Sequence, residues 1–320
     1  MSNVAVIGAG AWGTALAIQA ARAGAQVTLW ARDPARAAAM VAAGENPRLP
    51  GHALPDRIAI TTALPIDADA RLLAVPMQHL RGVLTALPPA PTPLVVCVKG
   101  VETGTLCLPL ELVAQLRPAA PCVILTGPNF AHEIAAGLPA AAVVAGLDAA
   151  LREHVIALLG TLSFRLYGND DAIGAQVGGA AKNVIAIAAG TVIGAGLGEN
   201  ARAALITRGL AELSRLAVAL GGKAETVAGL SGLGDLLLTC TGPASRNYSL
   251  GLALGRGQAL ADVLAARDTV TEGVATAPAI VARGVGVDMP ICTAVAALVQ
   301  GRTTLRAAMA TLLARPRRDE

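Results

Sequence analysis

The apolar run Val4–Gly8 leads directly into Gly8-Ala9-Gly10-Ala11-Trp12-Gly13, and an alanine-rich stretch of helical periodicity begins at Thr14. That order leaves few folds open. Gly8 permits a tight turn, Gly10 lets the backbone approach a pyrophosphate, and Gly13 allows a helix to pack closely on a strand. The helix start then offers free N–H groups and a partial positive charge to phosphate oxygens. Three glycines so spaced are a weak signal alone; between a strand and a helix they predict a dinucleotide site. Trp12 reads equally as a cover over that ligand and as a core aromatic.

The rest of the first half repeats the alternation. Gln26–Trp30, Ile58–Thr61, Arg71–Val75, Leu94–Val98, Cys122–Thr126, Ala142–Ala145 and Phe164–Tyr167 read as strands, mostly apolar throughout, as strands buried on both faces should be. Helical stretches at Thr14–Ala23, Pro34–Ala43, Met77–Ala86 and Ala149–Gly160 separate several of them. This is the pattern of a doubly wound α/β sheet with a Rossmann-like order. Beyond about Ile173 the strand signals stop. Gln176–Gly194, Asn200–Leu220, Leu233–Cys240, Arg246–Gly255, Ala259–Ala266, Glu272–Gly284, Ile291–Gln300 and Thr303–Leu313 read as helices, with Gly and Pro near their ends. The expectation is a dinucleotide-binding domain over 1–174 and an all-α substrate and catalytic domain over 175–320, with the boundary inside Gly168–Gly178.

Composition narrows the function. Net charge is +3 and the only basic cluster is the tail Arg315, Arg317 and Arg318, which argues against nucleic acid as a partner. Mean hydropathy is high, +0.59. Yet the most apolar stretch, Asn183–Gly198, falls short of the roughly 20 residues that span a bilayer, so it reads as a core helix and no transmembrane segment is expected. The start of the chain has no basic region and is not expected to be a signal peptide. Cys97, Cys107, Cys122, Cys240 and Cys292 show no metal-binding spacing, and an odd, scattered set suits reduced thiols in the cytoplasm. No metal is expected.

The end of the second predicted strand bears on cofactor choice. It reads Trp30-Ala31-Arg32-Asp33-Pro34. Arg32 suits a ribose 2′-phosphate, whereas a carboxylate here would hold a 2′-hydroxyl. Asp33 lies 20 residues beyond Gly13 and is one such carboxylate, but Asp-Pro reads first as a helix N-cap. NADP(H), with tolerance of NAD(H), is the expectation.

Of 25 basic side chains only Lys99, Lys182 and Lys223 are lysine. Arginine holds its proton at any workable pH, whereas a desolvated lysine can exchange one. Lys99, in Cys97-Val98-Lys99-Gly100, follows a strand and so lies at the sheet's carboxyl edge, where ligands of open α/β sheets sit. Thr126-Gly127-Pro128-Asn129-Phe130-Ala131 falls at the same edge. Lys182 is set among Ala, Val and Ile, where desolvation and a neighbouring cation such as Lys99 would bring its pKa toward neutrality. Asp235, in a nearly apolar segment, needs a cationic partner, and Lys182 is the obvious one. Ser245-Arg246-Asn247 opens a helix and is suited to gripping a phosphate. The structural alternatives are an interdomain ion pair for Lys182 and solvated surface charges for Lys99 and Arg246. Lys223 reads as a solvated charge after a helix.

In this order, GAGAWGTALA from Gly8, CVKGVE, TGPNFAHEIAAG, AAKNVIAIAAG, NARAALITRGLAELSRL, GLGDLLLTCTGPASRN and VTEGVATA resemble the bacterial-type NAD(P)-dependent sn-glycerol-3-phosphate dehydrogenase family, over Val4 to about Leu313. The resemblance implies a Rossmann-like domain, a helical substrate domain and a homodimer. It implies Lys182 as the proton donor and acceptor. It puts Lys99, Gly127, Asn129, Lys182, Asp235, Ser245, Arg246 and Asn247 at the substrate, a small phosphorylated molecule. It puts Trp12, Arg32, Lys99, Ala131, Arg246, Val270 and Glu272 at the cofactor, beside the glycines. Two departures stand out: Asn129 replaces the family's frequent Ser or Thr, and Asn46-Pro47-Arg48-Leu49-Pro50 lacks the Tyr of the family's N-x-x-Y-L-P.

The implied chemistry is reversible hydride transfer between dihydroxyacetone phosphate and sn-glycerol 3-phosphate, the latter feeding phospholipid synthesis. Lys182 would handle the proton, Lys99 would stabilise the developing alkoxide, and Asp235 would orient Lys182. Rival readings are a dehydrogenase of ketopantoate or a 3-hydroxy acid, and a non-catalytic NADP(H) sensor. A phosphate-gripping segment disfavours the first; the lysines and the buried Asp235 disfavour the second.

Overall fold

The computed structural model describes residues 2–267 and 270–316, so Arg317 and Arg318 of the basic tail lie outside the described residues. Two compact units are present: Met1–Lys99 with Cys107–Gln176, and Gly100–Leu106 with Val177–Glu320.

The first unit holds an eight-stranded sheet: β1 (Asn3–Ile7), β2 (Gln26–Trp30), β3 (Ile58–Thr61), β4 (Ala70–Leu73), β5 (Leu94–Val96), β6 (Cys122–Thr126), β7 (Ala140–Ala145) and β8 (Phe164–Asn169). Helices α1 (Ala11–Arg22), α2 (Pro34–Ala43), α3 (Met77–Ala86), α4 (Pro109–Leu116), α5 (Ala131–Ala136) and α6 (Ala149–Leu159) connect them. The spatial order is β3-β2-β1-β4-β5-β6-β7-β8. Strand order reverses between β1 and β4, which is the ligand-binding crevice of a doubly wound sheet. One core, including Val4, Val6, Leu16, Leu29 and Leu72, lies on one face. Ala5, Ile7, Leu73, Leu80 and Val96 build the other, as alternation along buried strands requires.

The sheet is parallel except that β7 runs antiparallel to β6. The β6–β7 connection carries only the short α5, whose end is tied to α1: Arg22 Nη1 donates to Ile134 O (2.9 Å) and Nη2 to Ala135 O (2.7 Å).

The second unit contains α7 (Ala172–Gly194, which begins in the first), α8 (Gly198–Ala219), α9 (Ala224–Val227), a π-helical turn (Leu230–Gly234), α10 (Asp235–Cys240), α11 (Arg246–Gly255), α12 (Leu260–Ala265), α13 (Glu272–Arg283), α14 (Pro290–Val299) and α15 (Leu305–Leu313). Helix α7 is 23 residues long, more than the apolar stretch read from sequence, and long and apolar enough by composition to cross a membrane; 83% of its most apolar window is buried inside the protein. It is a core helix. It meets α11 backbone to backbone: a methyl group on Gly190 would stand 2.0 Å from Tyr248 O.

Candidate active site

The glycine loop sits where β1 ends at the switch point. A Cβ on Gly13 would lie 1.9 Å from Gly8 O, so α1 can start this close to β1 only with glycine there. A Cβ on Gly10 meets nothing within 4 Å, so space stands open before the loop. Gly10 caps α1 without a side-chain acceptor, leaving first-turn N–H groups to point outward. A pyrophosphate fits that cradle. Trp12, in the first turn of α1, is half-buried and packs one side against the core.

At the end of β2, Arg32 is exposed. Asp33 caps α2, accepting from Ala35 N (3.0 Å) and Arg36 N (3.5 Å), so the N-cap reading of Asp33-Pro34 holds.

The β5 and β6 edges bring Lys99 and the Thr126–Ala131 segment together. Lys99 is half-buried, and its Nζ donates to Gly127 O (3.2 Å); it is not a freely solvated loop lysine. Gly127 has φ +148, and a Cβ there would press 2.9 Å from the Ala142 Cα. Asn129 Nδ2 donates to Ala141 O (3.2 Å), while its Oδ1 is shielded from solvent without a hydrogen-bond partner. Ala131 begins α5. Burial pushes the Cys97 thiol far above its ordinary value, against the opposing pull of Lys99, so it is unreactive.

In the helical unit Lys182, 8% exposed, forms an ion pair with the fully buried Asp235. The π-helical turn before α10 brings Asp235 into position, and Thr239 Oγ1 donates to Asp235 O one turn later (2.6 Å). Cys240 lies in the same surroundings: burial pushes it up to about 12, Lys182 lowers it and Asp235 raises it. The carboxylate–cation pairing expected for Asp235 is present.

Asn183, the neighbour of Lys182, was not singled out in the sequence. Its Oδ1 accepts from Asn247 Nδ2 (2.9 Å), and Asn247 Oδ1 accepts from Gly273 N (3.0 Å). This chain of amides fixes α11 and the start of α13 against the Lys182 turn of α7. Ser245 caps α11 by accepting from Tyr248 N (3.2 Å). Arg246 is exposed and donates from Nη1 to Val270 O (2.9 Å), which joins two expected cofactor contacts. Glu272 opens α13.

Comparison with known proteins agrees with this architecture. The family model for the NAD-dependent glycerol-3-phosphate dehydrogenase N-terminus matches residues 3–151, and that for its C-terminus matches residues 171–310. A glycerol-3-phosphate dehydrogenase (NAD(P)+) of Acidiphilium cryptum is 58% identical over 99% of this chain and 98% of its own length. That of Gluconobacter oxydans is 54% identical over 98% of this chain and 97% of its own length. The crystal structure of glycerol-3-phosphate dehydrogenase from Coxiella burnetii superposes with a TM-score of 0.93 at 37% identity, covering 98% of this chain and 99% of that one. Matched from end to end by sequence and by fold, the chain belongs to the NAD-dependent glycerol-3-phosphate dehydrogenase family.

Proposed function

We propose that the chain reversibly reduces dihydroxyacetone phosphate to sn-glycerol 3-phosphate with NADPH or NADH, acts as a homodimer, and supplies glycerol 3-phosphate for phospholipid synthesis. The observation that carries the reading is the buried Lys182–Asp235 pair in a chain that uses lysine only three times. Gly8, Gly10 and Gly13 would hold the dinucleotide pyrophosphate, and the bound group would supply the hydride donor or acceptor for the reaction.

Lys182, as ammonium, gives a proton to the carbonyl oxygen as the carbon becomes an alcohol, and takes it back in the reverse direction. Asp235 keeps the Lys182 side chain in one orientation. Lys99 adds positive charge for the developing alkoxide. Arg246 binds the phosphate through charge-assisted bonds, Ser245 stands at the same helix start, and Asn247 Nδ2 retains a second hydrogen beyond the one given to Asn183. Gly127 and Asn129 serve the substrate; Trp12, Arg32, Ala131, Val270 and Glu272 serve the cofactor.

The decisive assay is NADPH oxidation on adding dihydroxyacetone phosphate, run beside ketopantoate and 3-hydroxy-acid ketones. Turnover with dihydroxyacetone phosphate alone is expected; preference for another ketone, or none, overturns the reading. Lys182→Arg retains charge without exchangeable acidity, and near wild-type turnover in that variant would remove the proton role.

A further inference from the structure

The start of α11 and the segment leading into α13 are stitched together by two arginines, each donating to the backbone of the other's segment. Arg246 Nη1 donates to Val270 O (2.9 Å). Arg267 Nη1 donates back to Arg246 O (2.7 Å) and to Thr271 Oγ1 (3.4 Å). A cation just past the end of α12 could serve the last carbonyls of that helix, but the Arg267 guanidinium donates to none of them and reaches back 21 residues instead.

Two like charges are thereby drawn to one place, an arrangement that costs free energy until an anion joins them. Among the described residues neither guanidinium meets a carboxylate, and each is bonded only through Nη1. Nε and Nη2 of both, the parallel donors of a guanidinium fork, remain to receive a multiply charged group. Arg267 is half-buried, and burial together with the Arg246 charge lowers its basicity. The place adjoins the proton site: Asn247, the neighbour of Arg246, is bonded to Asn183, the neighbour of Lys182 (2.9 Å).

We infer that Arg267 is the second cation of the substrate's phosphate site, sharing with Arg246 the phosphate of dihydroxyacetone phosphate or sn-glycerol 3-phosphate. The inference rests on the proposed function. A phosphate monoester carries about −1.5 to −2 charge at pH 7, which a single guanidinium leaves half balanced. The bond from Arg246 to Val270 O sets the direction of the first fork, and the bond from Arg267 to Arg246 O holds the second beside it.

The test is titration of the NADPH-loaded enzyme with sn-glycerol 3-phosphate, which NADPH cannot oxidise. Titration of the free enzyme with NADPH and the KM for dihydroxyacetone phosphate accompany it. The proteins are the wild type, Arg267→Gln, Arg267→Lys and the charge-matched control Arg256→Gln, which alters an exposed arginine at the far end of α11. Loss of the charge-assisted bonds in Arg267→Gln should weaken sn-glycerol 3-phosphate binding about 10- to 100-fold and raise the KM in parallel. Arg267→Lys keeps the charge without the fork and should lose less. NADPH affinity should hold in both variants, and the control should match the wild type throughout. A merely structural tie would loosen Val270 and Glu272 as well, so equal losses for sn-glycerol 3-phosphate and NADPH would overturn the inference. Wild-type affinity in Arg267→Gln, or a Lys variant no better than the Gln one, would do the same. Should Arg267→Gln fold poorly, the two ligands compared in Arg267→Lys decide the matter. A wild type that binds NADPH yet neither binds sn-glycerol 3-phosphate nor reduces dihydroxyacetone phosphate would instead overturn the proposed function itself.

Discussion

Replacing both members of the Lys182–Asp235 pair should restore what replacing either destroys. Asp235 is fully buried and Lys182 is 8% exposed, so Asp235→Leu leaves an ammonium, and Lys182→Met a carboxylate, without its counter-ion in a low-dielectric interior. Removing one partner of a buried pair costs about 3–5 kcal/mol, roughly a 150- to 5,000-fold rise in the unfolding constant. Substituting both by apolar side chains of similar size removes the uncompensated charge, and such swaps are neutral or stabilising by about 1–4 kcal/mol. The double variant Lys182→Met/Asp235→Leu should therefore unfold in urea at or above the wild-type midpoint, with both single variants well below it. Its turnover should nonetheless fall by at least about 100-fold, the usual worth of a positioned acid–base group. Additive destabilisation in the double variant would refute the buried-pair reasoning. Wild-type turnover in a stable double variant would refute the proton role while leaving the stability argument intact.

Three further outcomes follow from the geometry. Gly13→Ala forces a methyl group to 1.9 Å from Gly8 O, so thermal denaturation should show a loss at the upper end of about 1–3 kcal/mol for overpacking, or failure to fold. Gly10→Ala meets no protein atom within 4 Å, so its melting temperature should match the wild type while fluorescence titration shows NADPH affinity down at least about tenfold. Glu212, 1% exposed, accepts from Ile291 N (2.6 Å) and Cys292 N (3.0 Å) at the start of α14, and burial raises its carboxyl above the ordinary 4.5 against the lowering effect of those two bonds and Arg215. A raised native pKa means the folded state binds the proton more tightly. The contribution of Glu212 to stability is thus complete below about 4.5 and declines as pH rises through the native value. Melting temperatures taken upward from pH 4.5 should show this decline in the wild type and its absence in Glu212→Gln; parallel curves would exclude Glu212 as its source.

Much of the scaffold is written locally. The spans expected for β2, β3, β6, α2, α3 and α11 coincide with those observed, because each is an apolar or amphipathic run with Gly, Pro or Asp at or near at least one end. Helix α4 escaped notice: it is short and begins with Pro109 after a loop, and its start is stabilised by Glu111 accepting from Leu108 N (2.8 Å). The helix expected over Leu233–Cys240 starts instead at Asp235, after a π-helical turn over Leu230–Gly234; what fixes that turn is close packing, with a Cβ on Gly232 only 1.9 Å from Val227 O. The reversal of β7 depends on a non-local pairing that no window of sequence contains.

The site divides along the same line. A lone acid in an apolar segment announces its need for a cation, so Asp235 and Lys182 could be matched across 53 residues. The Asn183–Asn247 bond spans 64 residues between two uncharged amides and leaves no such mark.

Because Gly100–Leu106 groups with the helices although it lies between β5 and α4, the helical body is drawn from two separated stretches of the gene. A recombination or fusion that exchanges everything beyond Gln176 would transplant an incomplete body and leave a foreign strap behind in the host. A workable chimera must carry both stretches, and the first splice then falls immediately after Lys99, so swapping substrate modules between relatives cannot be done without cutting beside a residue the chemistry is expected to use.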